Sequence, residues 1–207
     1  MQAIIELQQQ LQACRLCPDM MPPVVVGEAV VSPVLSIGQA PGDKEGVLGK
    51  PFAWTAGKTL FKWLASIGVS EEDYRSRVYM AAVCRCFPGK NPKGGDRVPA
   101  ANEIAHCRQW LEREVQLLRP ELVIPIGKLA INELIPIKKL TDVIGQRFEI
   151  PVFGIETTVI PLPHPSGAST WHRTEPGKRL LTEALALIEQ HPAWRKTFPG
   201  GQSTEQI

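Results

Sequence analysis

The sequence lacks several features that would place the chain in a familiar class of protein. It has no apolar run of the roughly 18 residues that a membrane-spanning helix needs, and its polar N-terminal residues predict no signal peptide. Internal repeats and low-complexity segments are absent. The net charge is only +2, so overall charge does not indicate a nucleic-acid partner. We therefore expect a cytosolic protein without a membrane partner, in which any nucleic-acid surface comes from local clusters of Lys and Arg.

The composition is that of an ordinary globular domain. The chain has 207 residues, and 43% of them are hydrophobic, which is enough to bury a core. We predict one domain over residues 1–190 and a loose tail over residues 191–207, where the hydrophobic pattern is weak. We expect the protein to act as a monomer.

Short apolar runs alternate with helical patterns along the chain. Strands are predicted at Val34 to Ile37, Val78 to Val83 and Leu122 to Gly127, with further β-like runs at Arg147 to Val152 and Thr157 to Leu162. Helices are predicted at residues 2–13, 56–67, 100–118, 128–134 and 176–190, and a Gly- and Pro-rich loop at residues 38–54. The alternation favours an α/β fold whose mostly parallel sheet is covered by helices on both faces.

Glycine-rich and polar segments follow the predicted strands. They are Gly38 to Gly42, Cys84 to Cys86, Gly127-Lys128 and His164 to Ser166. In open α/β sheets, ligands bind at the carboxyl ends of the strands. The sequence therefore predicts one binding site at that rim of the sheet.

The chain has five cysteines, Cys14, Cys17, Cys84, Cys86 and Cys107. In a reducing compartment, clustered cysteines bind metal more often than they form disulfides. Cys14 and Cys17 form a C-x-x-C pair, a pattern that zinc and redox sites share. A four-thiolate site needs one of Cys84 or Cys86 in addition to Cys107, and it suits either zinc or a 4Fe–4S cluster.

The segment from Gly38 to Phe52, G-Q-A-P-G-D-K-E-G-V-L-G-K-P-F, resembles the first motif of the iron–sulfur uracil-DNA glycosylases. In family 4 of these enzymes that motif runs roughly G-E-A-P-G-x-x-E-D-x-x-G-x-P-F. Four further matches follow in the family's order: Val78-Tyr79, Arg85-Cys86, Cys107-Arg108 and His164-Pro165-Ser166. The resemblance extends over about residues 10–190 and implies a three-layer α/β/α sandwich around a central four-stranded, mainly parallel sheet.

The resemblance also implies a function. It indicates a monofunctional glycosylase of DNA base-excision repair, which hydrolyses the N-glycosidic bond of uracil, or of a related base such as hypoxanthine or xanthine, flipped out of DNA. It further implies a structural 4Fe–4S cluster, with zinc as the less favoured occupant. The implied ligands are Cys14, Cys17, Cys86 and Cys107, which leaves Cys84 as a packing residue.

Particular residues take roles through this resemblance. His164 is the donor to the carbonyl oxygen of the departing base. Glu45 is the carboxylate that steadies the sugar cation or positions water, and Asp43 is the second candidate. Phe52 stacks on the base. The remaining pocket residues are Gly38, Gln39, Ala40, Pro41, Gly42 and Ala82.

The chain departs from the family 4 motifs at Gln39, Gly46 and Ala82, and Ala40 distinguishes it from a further group of uracil glycosylases. Gln39 stands for the usual glutamate, and Gly46 stands for the aspartate of the E-D pair. Ala40 lies where uracil glycosylases that begin G-Q-D-P carry a catalytic aspartate. Ala82 replaces an asparagine that reads uracil, as it does in family 5. These departures leave open which deaminated base is preferred.

DNA contacts are expected from residues around the pocket. Trp171 follows the histidine motif and is predicted to wedge into the DNA. Phosphate contacts are predicted for Lys58, Ser166, Ser169, Arg173 and Lys178. A second basic patch is formed by Lys90, Lys93 and Arg97, and such a patch is also typical of a solvated surface.

Two other functions remain open from the sequence. One is a catalytically weak or covalently trapping DNA-binding relative, which Ala40, Gly46 and Ala82 motivate. The other is a nucleotide-binding α/β protein that carries a cluster or zinc. The segment Gly38 to Gly42 is a weak phosphate loop, however, because it lacks the Lys-Ser/Thr ending of a P-loop.

Overall fold

The computed structural model describes residues 1–92, 94–167 and 169–200. Within these residues the strands are β1 (Val34–Gly38), β2 (Tyr79–Ala82), β3 (Leu122–Pro125), β4 (Phe148–Val152) and β5 (Ile155–Val159). The α-helices are α1 (Gln2–Gln12), α2 (Asp43–Leu48), α3 (Thr55–Ala65), α4 (Glu71–Arg77), α5 (Ala101–Leu118), α6 (Lys128–Asn132), α7 (Gly177–Gln190) and α8 (Pro192–Thr197). Short 3₁₀ helices occupy Leu140–Asp142 and Trp171–Arg173. Most of these elements match the predicted ones, whereas α2 lies inside the predicted loop and α4 and α8 were not predicted.

The strands form one sheet in the order β2-β1-β3-β5-β4. Neighbouring strands run parallel, except that β4 pairs antiparallel with β5. The predicted mainly parallel sheet is confirmed, but the predicted count of four strands is wrong, because there are five. The extra strand arises at Phe153 and Gly154, whose φ values of 47° and 79° form a two-residue hairpin turn.

Helices cover both faces of the sheet, as the predicted α/β/α sandwich requires. Successive residues of β3 alternate between the faces: Leu122 and Ile124 belong to one apolar core, and Val123 belongs to the other. The first core is completed by apolar residues of α3, α4, α7 and α8. The second is completed mainly by residues of α1, α5 and α6.

The predicted loose tail is wrong for the residues just after α7. His191 caps α8, since its Nδ1 accepts the backbone N–H of Ala193 at 3.2 Å. Trp194 and Phe198 are buried in the first core, and their ring centroids lie 4.7 Å apart. Sequence periodicity missed this helix because it has only six residues. Residues 201–207 of the predicted tail lie outside the described residues.

A buried polar network ties α1, β2 and α5 together. Arg85 forms an ion pair with Glu114 in which both side chains are almost fully buried. Tyr79 donates its hydroxyl to the same carboxylate at 2.7 Å, and Gln8 donates to the Tyr79 oxygen at 3.3 Å. The Arg85 Nε also donates to the carbonyl of Ala82 at 2.9 Å, which fixes the segment that leaves β2.

In the part of the chain that the structure describes, no helix combines the length and the apolar character that crossing a membrane requires.

Candidate active site

A cavity of about 780 Å³ opens at the carboxyl ends of the parallel strands, where the sequence predicted the site. Its size suits a small ligand. Every predicted pocket and catalytic residue lines it: Gly38, Gln39, Ala40, Pro41, Gly42, Asp43, Glu45, Phe52, Ala82 and His164. The fold therefore gathers into one cavity residues from four separate segments of the chain.

Phe52 forms one wall in an uncommon backbone conformation. Its φ is +51°, a region that residues with side chains seldom occupy. The buried Arg75 holds it there, donating to the carbonyl oxygens of Pro51 at 2.8 Å and Phe52 at 3.1 Å. The Phe52 ring packs against Gly38, where an added Cβ would lie 3.2 Å from it. Sequence reasoning missed Arg75, since nothing in its charged helical pattern distinguishes it from a surface residue.

Glu45 is buried and bonded to the backbone. Its carboxylate accepts the N–H of Gly42, which begins α2, and the backbone of Phe52 and Ala53 is close enough to influence its pKa. Burial raises the pKa of Glu45, and these backbone groups oppose the shift. The side chain thus joins the loop after β1 to the loop that carries Phe52. Its predicted catalytic role stays a prediction.

Asp96 is a carboxylate of the cavity that the sequence analysis did not single out. It lines the cavity, and its Oδ1 lies 2.7 Å from the Lys90 ammonium. Asp43 lies 3.4 Å from the same ammonium. Asp96 was not identified from the sequence because it lies among basic residues that are typical of a solvated surface. The glycines that precede it were the available indication of a folded turn.

His164 is fixed by backbone contacts. Its Nδ1 accepts the N–H of Ser166 at 3.2 Å, which leaves the proton of the neutral ring on Nε2. Burial lowers the pKa of His164, and the charge of Asp96 opposes that shift. The ring packs on Gly127, where an added Cβ would lie 2.8 Å from the ring Cδ2. The geometry therefore presents a neutral imidazole with an available N–H donor at the cavity.

The strand side of the cavity is apolar. Met80, Ala81 and Ala82 of β2 line it together with Ala40. Their side chains have no hydrogen-bonding group that could read the edge of a base. Among the nearby cavity residues, Gln39 has a side-chain amide. The sequence left open which base is preferred, and the side chain at position 82 adds no hydrogen bond that would choose one.

The predicted DNA contacts fall into two sets. Ser166 and Ser169 line the cavity, whereas Lys58, Arg173 and Lys178 are exposed outside its lining. Trp171, the predicted wedge, is partly buried against the first core and does not line the cavity. The exposed aromatic residue of the cavity is Trp54 instead. It is 49% exposed, and the Lys58 ammonium lies 5.9 Å from its ring centroid.

The predicted basic patch is mostly engaged in ion pairs. Lys90 pairs with Asp96 and Asp43. Arg97 forms two hydrogen bonds with the buried Glu103, at 2.7 Å and 2.8 Å. Lys93 lies outside the described residues. A phosphate contact from this patch would therefore have to compete with carboxylates that are already in place.

The five cysteines gather on the side of β2 that faces α1 and α5, and we call them the cysteine cluster. Cys107 on α5 lies close to the thiols of Cys84 and Cys17 and to the backbone of Arg85. The neighbouring Cys84 thiol is the main reason that the pKa of Cys107 is lowered to about 6. The Sγ of Cys17 also lies 3.8 Å from the Nδ1 of His106.

Cys86 and Cys84 differ in their surroundings. Burial raises the pKa of Cys86 to about 11, and the neighbouring thiols of Cys107, Cys14 and Cys17 add to the shift. Cys84 is completely buried and is influenced by Cys107 and Cys17. Cys86 thus lies near all three of the other predicted ligands. Among the described residues, no three His, Cys, Asp or Glu side chains are arranged to hold one metal ion.

Comparison with known proteins agrees with this geometry. The model of the uracil DNA glycosylase superfamily matches residues 25–189. The chain is 28% identical to the type-4 uracil-DNA glycosylase of Archaeoglobus fulgidus, over 80% of this chain and 83% of that protein. It is 30% identical to the type-4 enzyme of Saccharolobus solfataricus, over 76% and 70%. It is 28% identical to the type-5 uracil-DNA glycosylase of Pyrobaculum aerophilum, over 77% and 70%. The chain belongs to the uracil DNA glycosylase superfamily.

Proposed function

We propose that this protein is a glycosylase of DNA base-excision repair that hydrolyses the N-glycosidic bond of uracil or a related deaminated base. One observation carries the proposal: a neutral His164 with its proton on Nε2 lines the same cavity as the ring of Phe52. An aromatic face and a hydrogen-bond donor are the two groups that a flipped base requires. The family relationship and the names of the relatives support it.

His164 acts on the leaving group in this proposal. As the glycosidic bond breaks, negative charge develops on the carbonyl oxygen of the base. The Nε2–H of His164 donates to that oxygen and stabilises the charge. Because Nδ1 already accepts the N–H of Ser166, the ring cannot rotate to present an acceptor without losing that bond. The histidine is therefore prepared as a donor before DNA binds.

The chemistry is proposed to be hydrolytic and monofunctional. A glycosylase that also cleaves the strand uses an amine nucleophile, and a lysine in that role is activated by desolvation or by a neighbouring cation. In the described part of the cavity the lysine is Lys44, which is exposed. Carboxylates are available instead to orient water. The expected products are the free base and an intact strand with an abasic sugar.

We propose that DNA lies across the rim that Trp54 and Lys58 share. An exposed aromatic ring stacks on an unpaired base with little dependence on sequence. Ser166 and Ser169 are positioned at the cavity to bind the phosphates beside the flipped nucleotide. Arg173 extends this surface. Trp171 instead stabilises the segment that carries Arg173, because its side chain packs on the first core next to Gly177.

The cysteine cluster is proposed to hold a 4Fe–4S cluster on Cys14, Cys17, Cys86 and Cys107. Cys86 lies near Cys107, Cys14 and Cys17, so four thiolates on three segments could hold one metal group. Four thiolates suit either zinc or a 4Fe–4S cluster, and the resemblance to the iron–sulfur glycosylases favours the cluster. The group supplies a cross-link among α1, the segment after β2 and α5, and takes no part in base release.

A catalytically weak or trapping relative is the second candidate, because the apolar Ala40 and Ala82 face the cavity. One experiment separates the candidates. Oligonucleotides that contain uracil, hypoxanthine or xanthine are incubated with excess protein, and the free base is measured by mass spectrometry. Release of a base over repeated turnovers supports the glycosylase. A denaturation-resistant protein–DNA adduct, or binding without release, supports the second candidate.

A further inference from the structure

We propose that Asp96 is the carboxylate that orients the hydrolytic water and steadies the sugar cation. This inference rests on the proposed function, and it replaces the two carboxylates that the sequence motif suggested.

The turn that carries Asp96 is anchored at both ends. Arg97 donates its backbone N–H to the carbonyl of Gly89 at 2.8 Å, and its Nε donates to the carbonyl of Pro88 at 2.7 Å. Its guanidinium is fixed by two hydrogen bonds to the buried Glu103 on α5. The residue after Asp96 is thus bonded to the rest of the protein, the carbonyl of Gly95 before it accepts the N–H of Asn91 at 2.9 Å, and the Asp96 backbone forms an antiparallel bridge with Lys90.

Asp96 faces the loop that follows β1. Its Oδ2 lies 3.2 Å from the point that a Cβ on Gly42 would occupy, and the Glu45 Oε2 lies at the same distance from that point. A side chain on residue 42 would therefore require one or both of these carboxylates to move by a few tenths of an ångström. The charge of Asp96 also acts on His164, as its opposition to the pKa shift of that histidine shows. Asp96 and His164 consequently act on the same cavity.

The other two carboxylates are less suited to bind a water. Glu45 is buried, and its Oε2 already accepts the backbone N–H of Gly42. Asp43 lies at the first turn of α2 and is held less firmly, because its contact with Lys90 is 3.4 Å against 2.7 Å for Asp96. In Asp96 the ion pair engages Oδ1, which leaves the lone pairs of Oδ2 for a water molecule.

The proposed step is balanced without another reactant. The oxygen of water bonds to C1′ of the sugar as the bond between C1′ and the base nitrogen breaks. The electron pair of that bond leaves with the base, whose charged oxygen accepts the Nε2–H of His164. The water gives one proton to the Asp96 carboxylate, which returns it to solvent, and the base takes a proton from solvent.

Two alanine variants test the role of Asp96. Asp96→Ala and Asp43→Ala each remove one negative charge that contacts the Lys90 ammonium. The side chains of Asp96 and Asp43 also have nearly equal exposed fractions, 41% and 42%. The single-turnover rate of base release is measured for each variant. Affinity is measured separately on an oligonucleotide with 2′-fluoro-deoxyuridine, whose glycosidic bond resists cleavage. Formate is then added to Asp96→Ala, because a small carboxylate can occupy the vacated space.

We expect Asp96→Ala to lower the single-turnover rate by about 10²–10⁴-fold, the range typical of a lost general base. We expect its affinity to stay nearly unchanged, formate to restore part of the rate, and Asp43→Ala to lose much less. A purely structural aspartate would not respond to formate. Two results would overturn the role of Asp96 alone in a protein whose wild type releases the base. One is an undiminished rate in Asp96→Ala, and the other is a larger loss of rate in Asp43→Ala than in Asp96→Ala. A wild-type protein that releases no base overturns the proposed function as well.

Discussion

The cavity and the cysteine cluster are separated by only a few residues of chain, yet they are held together in different ways. Ala82 at the end of β2 faces the cavity, and Cys84 and Cys86 follow at once. On the cavity side, buried polar groups fix the loops directly, as Arg75 does for Phe52 and Glu45 does for Gly42. On the other side, the thiols are close enough to influence one another's pKa values, as Cys84 does for Cys107.

This difference separates two kinds of stability. The cavity is preorganised by the protein alone, which is what a site that stabilises a transition state needs. The cysteine cluster brings together thiols whose pairing is weak until a group binds them, and a metal centre then contributes its binding free energy to folding. We therefore expect changes in the cavity to affect base release, and changes in the cysteine cluster to affect stability.

The largest contrast is expected between Cys86→Ala and Cys84→Ala. If Cys86 is a ligand, Cys86→Ala loses the broad absorption near 400 nm that thiolate-bound iron gives, together with iron and sulfide, and its Tm falls. Cys84→Ala keeps the colour, because Cys84 is then only a buried neighbour of Cys107. Spectra and Tm of the purified variants decide the matter. If Cys84→Ala were colourless and Cys86→Ala brown, Cys84 would be the cluster ligand and Cys86 the packing residue.

The next effect concerns Gly127, which supports the histidine. Its φ of 89° and ψ of 159° are almost restricted to glycine, so Gly127→Ala costs about 1–3 kcal/mol of stability. The added Cβ also displaces the ring of His164, and misplacement of a catalytic group by about 1 Å can cost 10²-fold in rate. The single-turnover rate and the free energy of unfolding are measured together.

Gly154→Ala is the matched control for Gly127→Ala. Gly154 also has a positive φ, but nothing lies within 4 Å of an added Cβ there. Gly154→Ala should lower the free energy of unfolding but leave the single-turnover rate per folded molecule unchanged. Equal rates for the two variants would show that the position of His164 does not depend on Gly127.

A smaller effect is expected at the aromatic residues of the rim. Trp54→Ala should weaken binding of single-stranded DNA by about 1–3 kcal/mol, the amount that one stacked base contributes. Trp171→Ala should lower stability instead, because its ring packs on the first core. Fluorescence anisotropy and thermal unfolding give the two quantities. Loss of DNA affinity in Trp171→Ala at unchanged stability would restore Trp171 as the wedge.

The smallest effect is a dependence of stability on pH. Burial lowers the pKa of His164 in the folded state, so the unfolded chain binds its proton more readily. The stabilisation that the neutral ring provides is complete above the unfolded pKa of about 6.5 and is lost as pH falls through the lower folded value. The free energy of unfolding of the wild type, measured by urea denaturation, should therefore decrease below pH 6.5.

His164→Gln supplies the comparison for this pH dependence. It keeps His172 and His191, whose pKa values are also lowered by burial, so the difference between the two proteins isolates His164. The variant should lose less stability on acidification than the wild type. Identical pH dependences would mean that His164 is not desolvated in the folded protein.

The sequence predicted the residues that line the cavity better than it predicted the residues that hold them in place. The motif from Gly38 to Phe52 and the histidine segment were sufficient to predict the lining of the cavity. The groups that hold these residues, such as Arg75 and Gly127, act through contacts between segments distant in sequence. Such contacts follow from the packing of α4 and β3 beside the loops, and a single sequence carries no periodic signal for them.

Burial was the other quantity that the sequence did not determine. Trp54 and Trp171 have the same chemistry and both lie near a motif, but one is exposed and the other packs on the core. Asp96 was read with its basic neighbours as part of a surface, although the Arg97–Glu103 pair turns that segment toward the cavity. Residues 192–197 were too few for a helical pattern, although Trp194 is buried.

The central claim is tested most directly by base release from a uracil-containing oligonucleotide, single- and double-stranded, with wild type and His164→Ala compared in excess over DNA. The account predicts release by the wild type and a rate about 10²–10³-fold lower in His164→Ala, the loss typical of one missing donor to a developing oxyanion. Both proteins should have the same far-ultraviolet circular dichroism. Release that is undiminished in the folded His164→Ala, or no release of uracil, hypoxanthine or xanthine by the wild type, would contradict it.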